Sequence, residues 1–97
     1  MTTETMKTYE AMYITIPTEE ASNNVCEMAK KIINEYGKVL KVDVWGKKRL
    51  AYSIMDNEEG IYTLITFEAP RTCITELDRK LRNSEEALRH MIISKGE

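Results

Sequence analysis

The sequence predicts a single α+β domain in which four strands and two helices follow the order β-α-β-β-α-β. Two segments have apolar residues every three or four positions, as amphipathic helices do, and four segments are rich in alternating or β-branched residues, as strands are. The 97 residues and 42% hydrophobic content suit one hydrophobic core. We expect the domain to span residues 7–95, with residues 1–6 as a short disordered extension.

The first strand and the first helix have clear sequence boundaries. Positions 8–16 are rich in β-branched and aromatic residues, and Pro17 ends this strand because it lacks a backbone donor. Thr18 can cap a helix that runs to residue 36, where Gly37 is a suitable stop. The strand is apolar on both sides, with Tyr9, Ala11 and Tyr13 on one face and Met12, Ile14 and Ile16 on the other. One face therefore remains for a partner or for solvent.

The period changes to two from Lys38 onwards. One face would hold Leu40, Val42 and Val44, and the other Lys41, Asp43 and Trp45. Alternation resumes at Leu50, which predicts a long strand that is kinked or bulged at Gly46. Residues 56–60 supply turn chemistry, and residues 61–67 are rich in strand formers.

The last third of the chain predicts a short helix and a final strand. Pro70 can begin the helix, which would bury Ile74, Leu77 and Leu81, and residues 88–94 form the strand. Two interleaved crossovers in this order give the ferredoxin-like sandwich, a four-stranded antiparallel sheet with both helices on one face. The second face of the sheet is then left uncovered.

Charge is unevenly distributed along the chain. The net charge is −2, yet residues 38–55 contain five basic residues and one acidic residue. Domains that grip nucleic acid over their whole surface usually carry a clear positive excess. We therefore expect a composite binder, in which a local basic stretch touches RNA and a protein partner contributes more positive charge.

Other function classes find little support. The chain has one histidine and none of the common hydrolase or phosphate-loop motifs, and the adjacent acids at residues 58–59 and 85–86 are expected to be solvated. Cys26 and Cys73 are far apart and suit free thiols better than a metal site or a disulfide. No apolar run approaches the roughly 20 residues of a membrane span. We expect no catalysis, cofactor, metal or membrane contact.

The sharpest local feature is the triplet Lys47-Lys48-Arg49. Three adjacent cations must project towards solvent, and such runs are usually only solvated, but the neighbouring Trp45 and Tyr52 favour contact with RNA or a partner. On the last strand, Arg89 and His90 are further candidates for RNA contact, although a strand histidine more often simply faces solvent. Met12 and Ile14 would add apolar packing at this surface.

The run from Trp45 to Ile54, WGKKRLAYSI, resembles the signature of the S6 family, the sixth protein of the bacterial small ribosomal subunit. The similarity extends over residues 7–95 through five further landmarks: Tyr9-Glu10, Pro17, Tyr36-Gly37, Glu68-Ala69-Pro70 and Leu88-Arg89-His90-Met91. The sequence departs from the family pattern at Ser53, where proline is usual, and at Met55, where a polar or basic residue is usual. Its tail after the last strand is also shorter than in many relatives.

The resemblance implies a structural protein of the cytoplasmic ribosome, without enzymatic activity. It further implies pairing with the eighteenth small-subunit protein and binding to the central domain of small-subunit ribosomal RNA during assembly. Two rivals share the element order. An RNA-recognition module would need a basic residue and alternating aromatics on its third strand, where residues 59–65 offer an acid and aliphatics. An acyl-phosphate hydrolase would need an anion-binding loop where residues 17–20 place acids.

Overall fold

The computed structural model describes residues 6–95, and within them the chain forms four strands and two helices. Their bounds are β1 Lys7–Thr15, α1 Glu19–Tyr36, β2 Lys38–Ile54, β3 Asn57–Ala69, α2 Arg71–Asn83 and β4 Ala87–Ser94. The predicted order β-α-β-β-α-β is confirmed. The expected N-terminal extension lies outside the described residues except for Met6, which is exposed and precedes β1.

The four strands form one antiparallel sheet in the order β2-β3-β1-β4. Odd-numbered residues of β1 and β3 are paired across the two central strands and point towards the helices. Tyr9 lies opposite Phe67, and Ala11 opposite Ile65; all four are buried in one core with residues of α1 and α2. The ferredoxin-like sandwich is thus confirmed, and the even-numbered residues form the open face of the sheet.

Both helices bury their apolar faces, although in α2 the predicted Ile74 is only partly buried. The Thr18 side chain accepts a hydrogen bond from the backbone N–H of Ala21 at 3.1 Å, which caps α1, and Glu19 and Glu20 occupy its first turn. The residues of α1 in the core are Val25, Ala29, Ile32 and Ile33, and those of α2 are Cys73, Leu77 and Leu81. Full burial of each large aliphatic side chain stabilises the fold by about 1.5–3 kcal/mol.

β2 departs from the simple alternation that its sequence predicts, because its pairing with β3 contains two one-residue bulges and a third irregularity between Arg49 and Ile54. Val39 pairs with Phe67 and Lys41 with Thr66, so that Leu40 is an extra residue between them. The core contacts are therefore made by Val39 and Val42, while Leu40 is exposed. The prediction that Leu40, Val42 and Val44 share one face is right for Val42 and Val44, which lie opposite Ile65 and Thr63. It is wrong for Leu40, the extra residue of the first bulge.

The turn between β2 and β3 also differs from the prediction. Residues 57–60 belong to β3, and the connection is the two-residue loop Met55-Asp56, with φ of 50° and 67°. Ile54 pairs with Asn57, whose side-chain amide donates to the Met55 carbonyl at 3.0 Å. Short hairpin loops need positive φ at both positions to match the twist of the strands. The prediction from the turn-forming composition of residues 56–60 therefore placed the turn too far towards the C-terminus.

Candidate nucleic-acid interface

The open face of the sheet is ordered in rows, because residues opposite each other on neighbouring strands lie side by side. One row runs from Tyr62 through Ile14 to Arg89. The next runs from Leu64 through Met12 to Met91. Met91 is 62% exposed, and Ile93 beyond it on the same face is 47% exposed. An apolar strip therefore crosses β3, β1 and β4. Arg89 lies at the end of the row that contains Tyr62 and Ile14.

Trp45 reaches this face through the second bulge of β2. Val44 pairs with Thr63 and Gly46 with Tyr62, which leaves Trp45 as the extra residue. Gly46 has a φ of 95°, a conformation that glycine adopts without the steric penalty of a side chain. The predicted irregularity at Gly46 is confirmed. The bulge turns the indole onto Tyr62, with ring centroids 6.4 Å apart and planes 9° apart.

Lys48 follows on the same side. Its ammonium nitrogen lies 5.9 Å from the centroid of the Trp45 ring, a cation–π contact. Both side chains remain exposed, with Trp45 at 48%. A positive charge is therefore held beside an aromatic surface, and this combination suits a flexible polyanion that carries flat bases.

Beyond Lys48, β2 crosses over the open face and covers part of it. Leu50 is only 8% exposed, and Ile14 beneath it only 9%. Gly60 permits this approach, because a Cβ on it would collide with the Ile14 side chain and with the backbone oxygen of Thr15. The segment from Lys48 to Ile54, with its partner residues in β3, forms an arm that folds onto the sheet, and we call it the hairpin arm.

Tyr52 connects the hairpin arm to β4 at the far edge of the sheet. The Arg89 guanidinium lies 5.9 Å from the centroid of the Tyr52 ring and donates to the Tyr52 hydroxyl at 3.4 Å. Below them is a cavity of about 150 Å³, with Ile14, Leu50 and Tyr62 among its lining residues. Five of the residues predicted for the site, Met12, Ile14, Lys48, Tyr52 and Arg89, thus share the open face with Trp45.

The basic triplet is divided between two surfaces. Lys47 pairs with Ile61 and Arg49 with Glu59, and both partners belong to the side of β3 that faces the helices. Lys47 also lines a cavity of about 310 Å³ beside the start of α1, together with Ser22 and Glu19. All three cations are exposed, but Lys48 alone of the triplet points to the open face.

His90 is separated from the other predicted residues. It lies on the helix-facing side of β4, where its Nε2 is 2.6 Å from Asp78 Oδ1 in α2. The same carboxylate pairs with Arg82. These two hydrogen-bonding partners hold the pKa of Asp78 below its ordinary value. With 17% of its side chain exposed, His90 packs between β4 and α2 rather than facing solvent.

Several residues of the open face were not singled out by the sequence reasoning. Tyr62 carries the indole of Trp45, and Leu64 and Met91 build the apolar strip. Their positions follow from the alternation of side chains along a strand. Once the odd-numbered residues of β3 are assigned to the core, its even-numbered residues must face the other way. Tyr62, Leu64 and Met91 lie in strands whose two faces both carry apolar residues.

Burial shifts the pKa of two titratable groups in the core. Burial raises the pKa of Tyr13, with Cys26 beside its hydroxyl as a further cause. Burial raises the pKa of the Cys73 thiol to about 11.

Within residues 6–95, no three His, Cys, Asp or Glu side chains come together as metal ligands would. Neither described helix is long and apolar enough to cross a membrane.

Comparison with known proteins identifies the family. Residues 8–94 match the family model described as Ribosomal protein S6. The small ribosomal subunit protein bS6 of Desulforamulus reducens is 44% identical over 95 residues, covering 95% of this chain and all of that protein. The bS6 of Clostridium acetobutylicum is 44% identical over 92 residues, covering 92% of this chain and 97% of that one.

A solved structure agrees with the sequence comparisons. The crystal structure of 30S ribosomal protein S6 from Thermotoga maritima has a TM-score of 0.85 and 35% identity, covering 94% of this chain and 89% of that one. The match extends over nearly the whole length of both chains, so it concerns the entire domain. This chain therefore belongs to the ribosomal protein S6 family, and it is a structural, non-enzymatic constituent of the small subunit of the bacterial cytoplasmic ribosome.

Proposed function

We propose that this chain binds the central domain of small-subunit ribosomal RNA together with the eighteenth small-subunit protein, and so acts in subunit assembly and translation. The observation that carries the proposal is the pairing of cations with aromatic rings on the open face. Lys48 lies over Trp45, and Arg89 lies over Tyr52. Charges held at a surface in this way can meet phosphates while the rings remain available for stacking.

Lys47 and Arg49 extend this surface around the strand. They project on the opposite side of β2 from Lys48, so that the triplet presents charge to an RNA that wraps around the strand rather than lying on one face. Four phosphate contacts, from Lys47, Lys48, Arg49 and Arg89, would give a salt slope of about −3 to −4. We leave His90 out of the RNA surface because it is bonded to Asp78 on the side of the helices.

A protein partner is part of the proposal for two reasons. The net charge of −2 is too low for tight RNA binding by this chain alone. In addition, the strip of Leu64, Met12 and Met91 leaves an apolar row on the open face, with Met91 62% exposed. A small basic protein seated there would cover apolar area and add positive charge beside Lys48 and Arg89.

Filter binding to the central domain of the RNA, with and without the basic partner, tests the proposal. Replacing Lys47, Lys48 and Arg49 together by alanine should weaken binding and reduce the magnitude of the salt slope by about 2 to 3. The control variant replaces Lys30, Lys31 and Lys80, which removes the same charge from the helices. Equal affinity of the wild type and the triplet variant would overturn the assignment of the triplet to RNA.

A further inference from the structure

The cavity beneath Tyr52 is a feature of the open face that phosphate binding does not use. Its deepest lining residues are Ile14 and Leu50, both almost fully buried, and its exposed rim is formed by Tyr52 and Arg89. Tyr62, which carries Trp45 on its ring, lines it as well. The cavity therefore has an apolar floor and an aromatic, cationic rim.

We propose that this cavity binds one unpaired nucleobase of the RNA, stacked against Tyr52 and Arg89. The inference rests on the RNA binding proposed above and names the part of the RNA that the open face recognises. Bases that leave a helix in bulges and loops are bound in this way, on aromatic rings and guanidinium planes.

The size of the cavity favours a single ring system. At about 150 Å³ it is smaller than the roughly 300–1,000 Å³ of pockets that enclose whole small-molecule ligands. One flat base attached to a longer chain would need no more room. The buried Ile14 and Leu50 would contact the edge of the base that leaves water, while its faces would lie against the Tyr52 ring and the Arg89 guanidinium.

The charge of the rim favours RNA over an inserted protein side chain. Arg89 is part of the lining and Lys48 lies on the same face, whereas no acidic residue of the described chain lines this cavity. The phosphates that flank an unpaired nucleotide would be attracted by both cations. A basic protein partner would meet uncharged apolar side chains on the apolar strip, so its place is there rather than in this cavity.

A base can replace the contact between Arg89 and Tyr52 at the mouth of the cavity. The Arg89–Tyr52 hydrogen bond is long, at 3.4 Å, and Tyr52 is 63% exposed. Interactions between exposed groups of this kind are weak because water competes for both. Tyr52 and Arg89 can therefore separate and close again on the two sides of a bound ring.

Affinity measurements with the central-domain RNA and the basic partner test this site. Tyr52→Ala should weaken RNA binding about 5- to 150-fold, the loss expected for one stacked base. The salt slope should stay unchanged, because no charge is removed. Tyr52→Phe is the matched control, since it keeps the ring and should stay close to the wild type. Circular dichroism confirms that the variants are folded, as the exposure of Tyr52 leads us to expect.

Chemical probing of the same complexes identifies the base. One unpaired base should be protected in the wild-type complex and reactive in the Tyr52→Ala complex. Identical probing patterns and equal affinities would overturn the base site, and if the triplet variant still weakened binding, the proposed function would stand. If Tyr52→Ala instead weakened binding to the protein partner without RNA, the cavity would be a protein site and the inference would be wrong.

Discussion

Trp45 stacks on Tyr62 although the two residues are not partners in the strand register, where Tyr62 faces Gly46. The stack exists because the bulge at this point places one extra residue in β2. It holds the single tryptophan of the chain on the proposed RNA surface. Its contribution to stability and its response to RNA can both be measured.

A double-mutant cycle measures the stack. Trp45→Ala and Tyr62→Ala should each lower the free energy of unfolding, and the two losses should be coupled by about 0.5–1.5 kcal/mol, the value of an aromatic pair beyond its buried area. Urea unfolding of the two single variants and the double variant gives the coupling. Leu64, which faces the same side one row away, provides the control partner in a second cycle with Trp45. Additive losses in the Trp45 and Tyr62 cycle would contradict the stack.

Gly46 makes the bulge possible, and its replacement tests the backbone rather than the packing. A Cβ on Gly46 would meet no atom within 4 Å, but the residue has a φ of 95°. Gly46→Ala should therefore lower the free energy of unfolding by about 1–2 kcal/mol through backbone strain. Gly46→Asn should cost less, since asparagine tolerates positive φ better than alanine. Equal stability of wild type and Gly46→Ala would contradict a strain at this position.

Much of the fold could be predicted from the sequence because its helices obey simple periodicity. The buried faces of α1 and α2 required only the three- and four-residue spacing of apolar side chains, and the cap at Thr18 required only a threonine at the start of the helix. The two apolar faces of β1 likewise predicted an open face that carries Met12 and Ile14. These features depend on residues that are close together in the sequence, so they can be predicted from the sequence alone.

The sequence predictions are wrong at positions that depend on the register between neighbouring strands. The extra residue at Leu40 and the turn at Met55-Asp56 depend on how β2 meets β3, which no local pattern specifies. Gly60 belongs to a run with turn composition, but its role is the close approach of the hairpin arm to Ile14. The separation of His90 from Arg89 follows from strand parity, yet its bond to Asp78 needed the position of α2.

The turn between β2 and β3 can be improved. Met55 and Asp56 both have positive φ, and Met55 is 75% exposed, so that its side chain adds little packing. Asn-Gly is the preferred pair for a two-residue hairpin loop. The double variant Met55→Asn/Asp56→Gly should raise the free energy of unfolding by about 1 kcal/mol, which corresponds to a rise in Tm of about 4–8 °C for a domain of this size.

Calorimetry of the turn variant should be compared with Met55→Val. Valine has a β-branched side chain that suits positive φ poorly, so this variant should be less stable than the wild type. A lower Tm for the Asn-Gly variant than for the wild type would show that the backbone of residues 55 and 56 is not the conformation described.

Cys73 should be inert towards alkylating reagents. It is completely buried in the core, and burial raises the pKa of its thiol to about 11, which leaves little thiolate at pH 8. In a Cys26→Ser variant, mass spectrometry should detect no iodoacetamide adduct in native buffer and one adduct in concentrated urea. Rapid alkylation in native buffer would contradict the packing of Cys73 on the buried face of α2.

The Asp78 carboxylate connects α2 to β4 and should make stability depend on pH. Its hydrogen bonds to His90 and then to Arg82 lower its pKa in the folded protein below the ordinary value of about 3.8. A lowered pKa means that the ionised form favours the folded state. The stabilisation is therefore fully present above about pH 5, and it is lost as the pH falls through the folded pKa.

Urea unfolding at a series of pH values tests this connection between α2 and β4. Asp78→Asn should be less stable than the wild type near pH 6, and the difference should shrink below about pH 4 as the wild-type carboxylate becomes protonated. His90→Gln removes the largest cause of the lowered pKa, so the acid-dependent loss should be smaller and should be complete at a higher pH. Glu76→Gln is the control, because Glu76 pairs only with Arg79 within α2 among the interactions of the described chain. A stability difference for Asp78→Asn that is equal at pH 3 and pH 6 would show that the carboxylate is not held by His90 and Arg82.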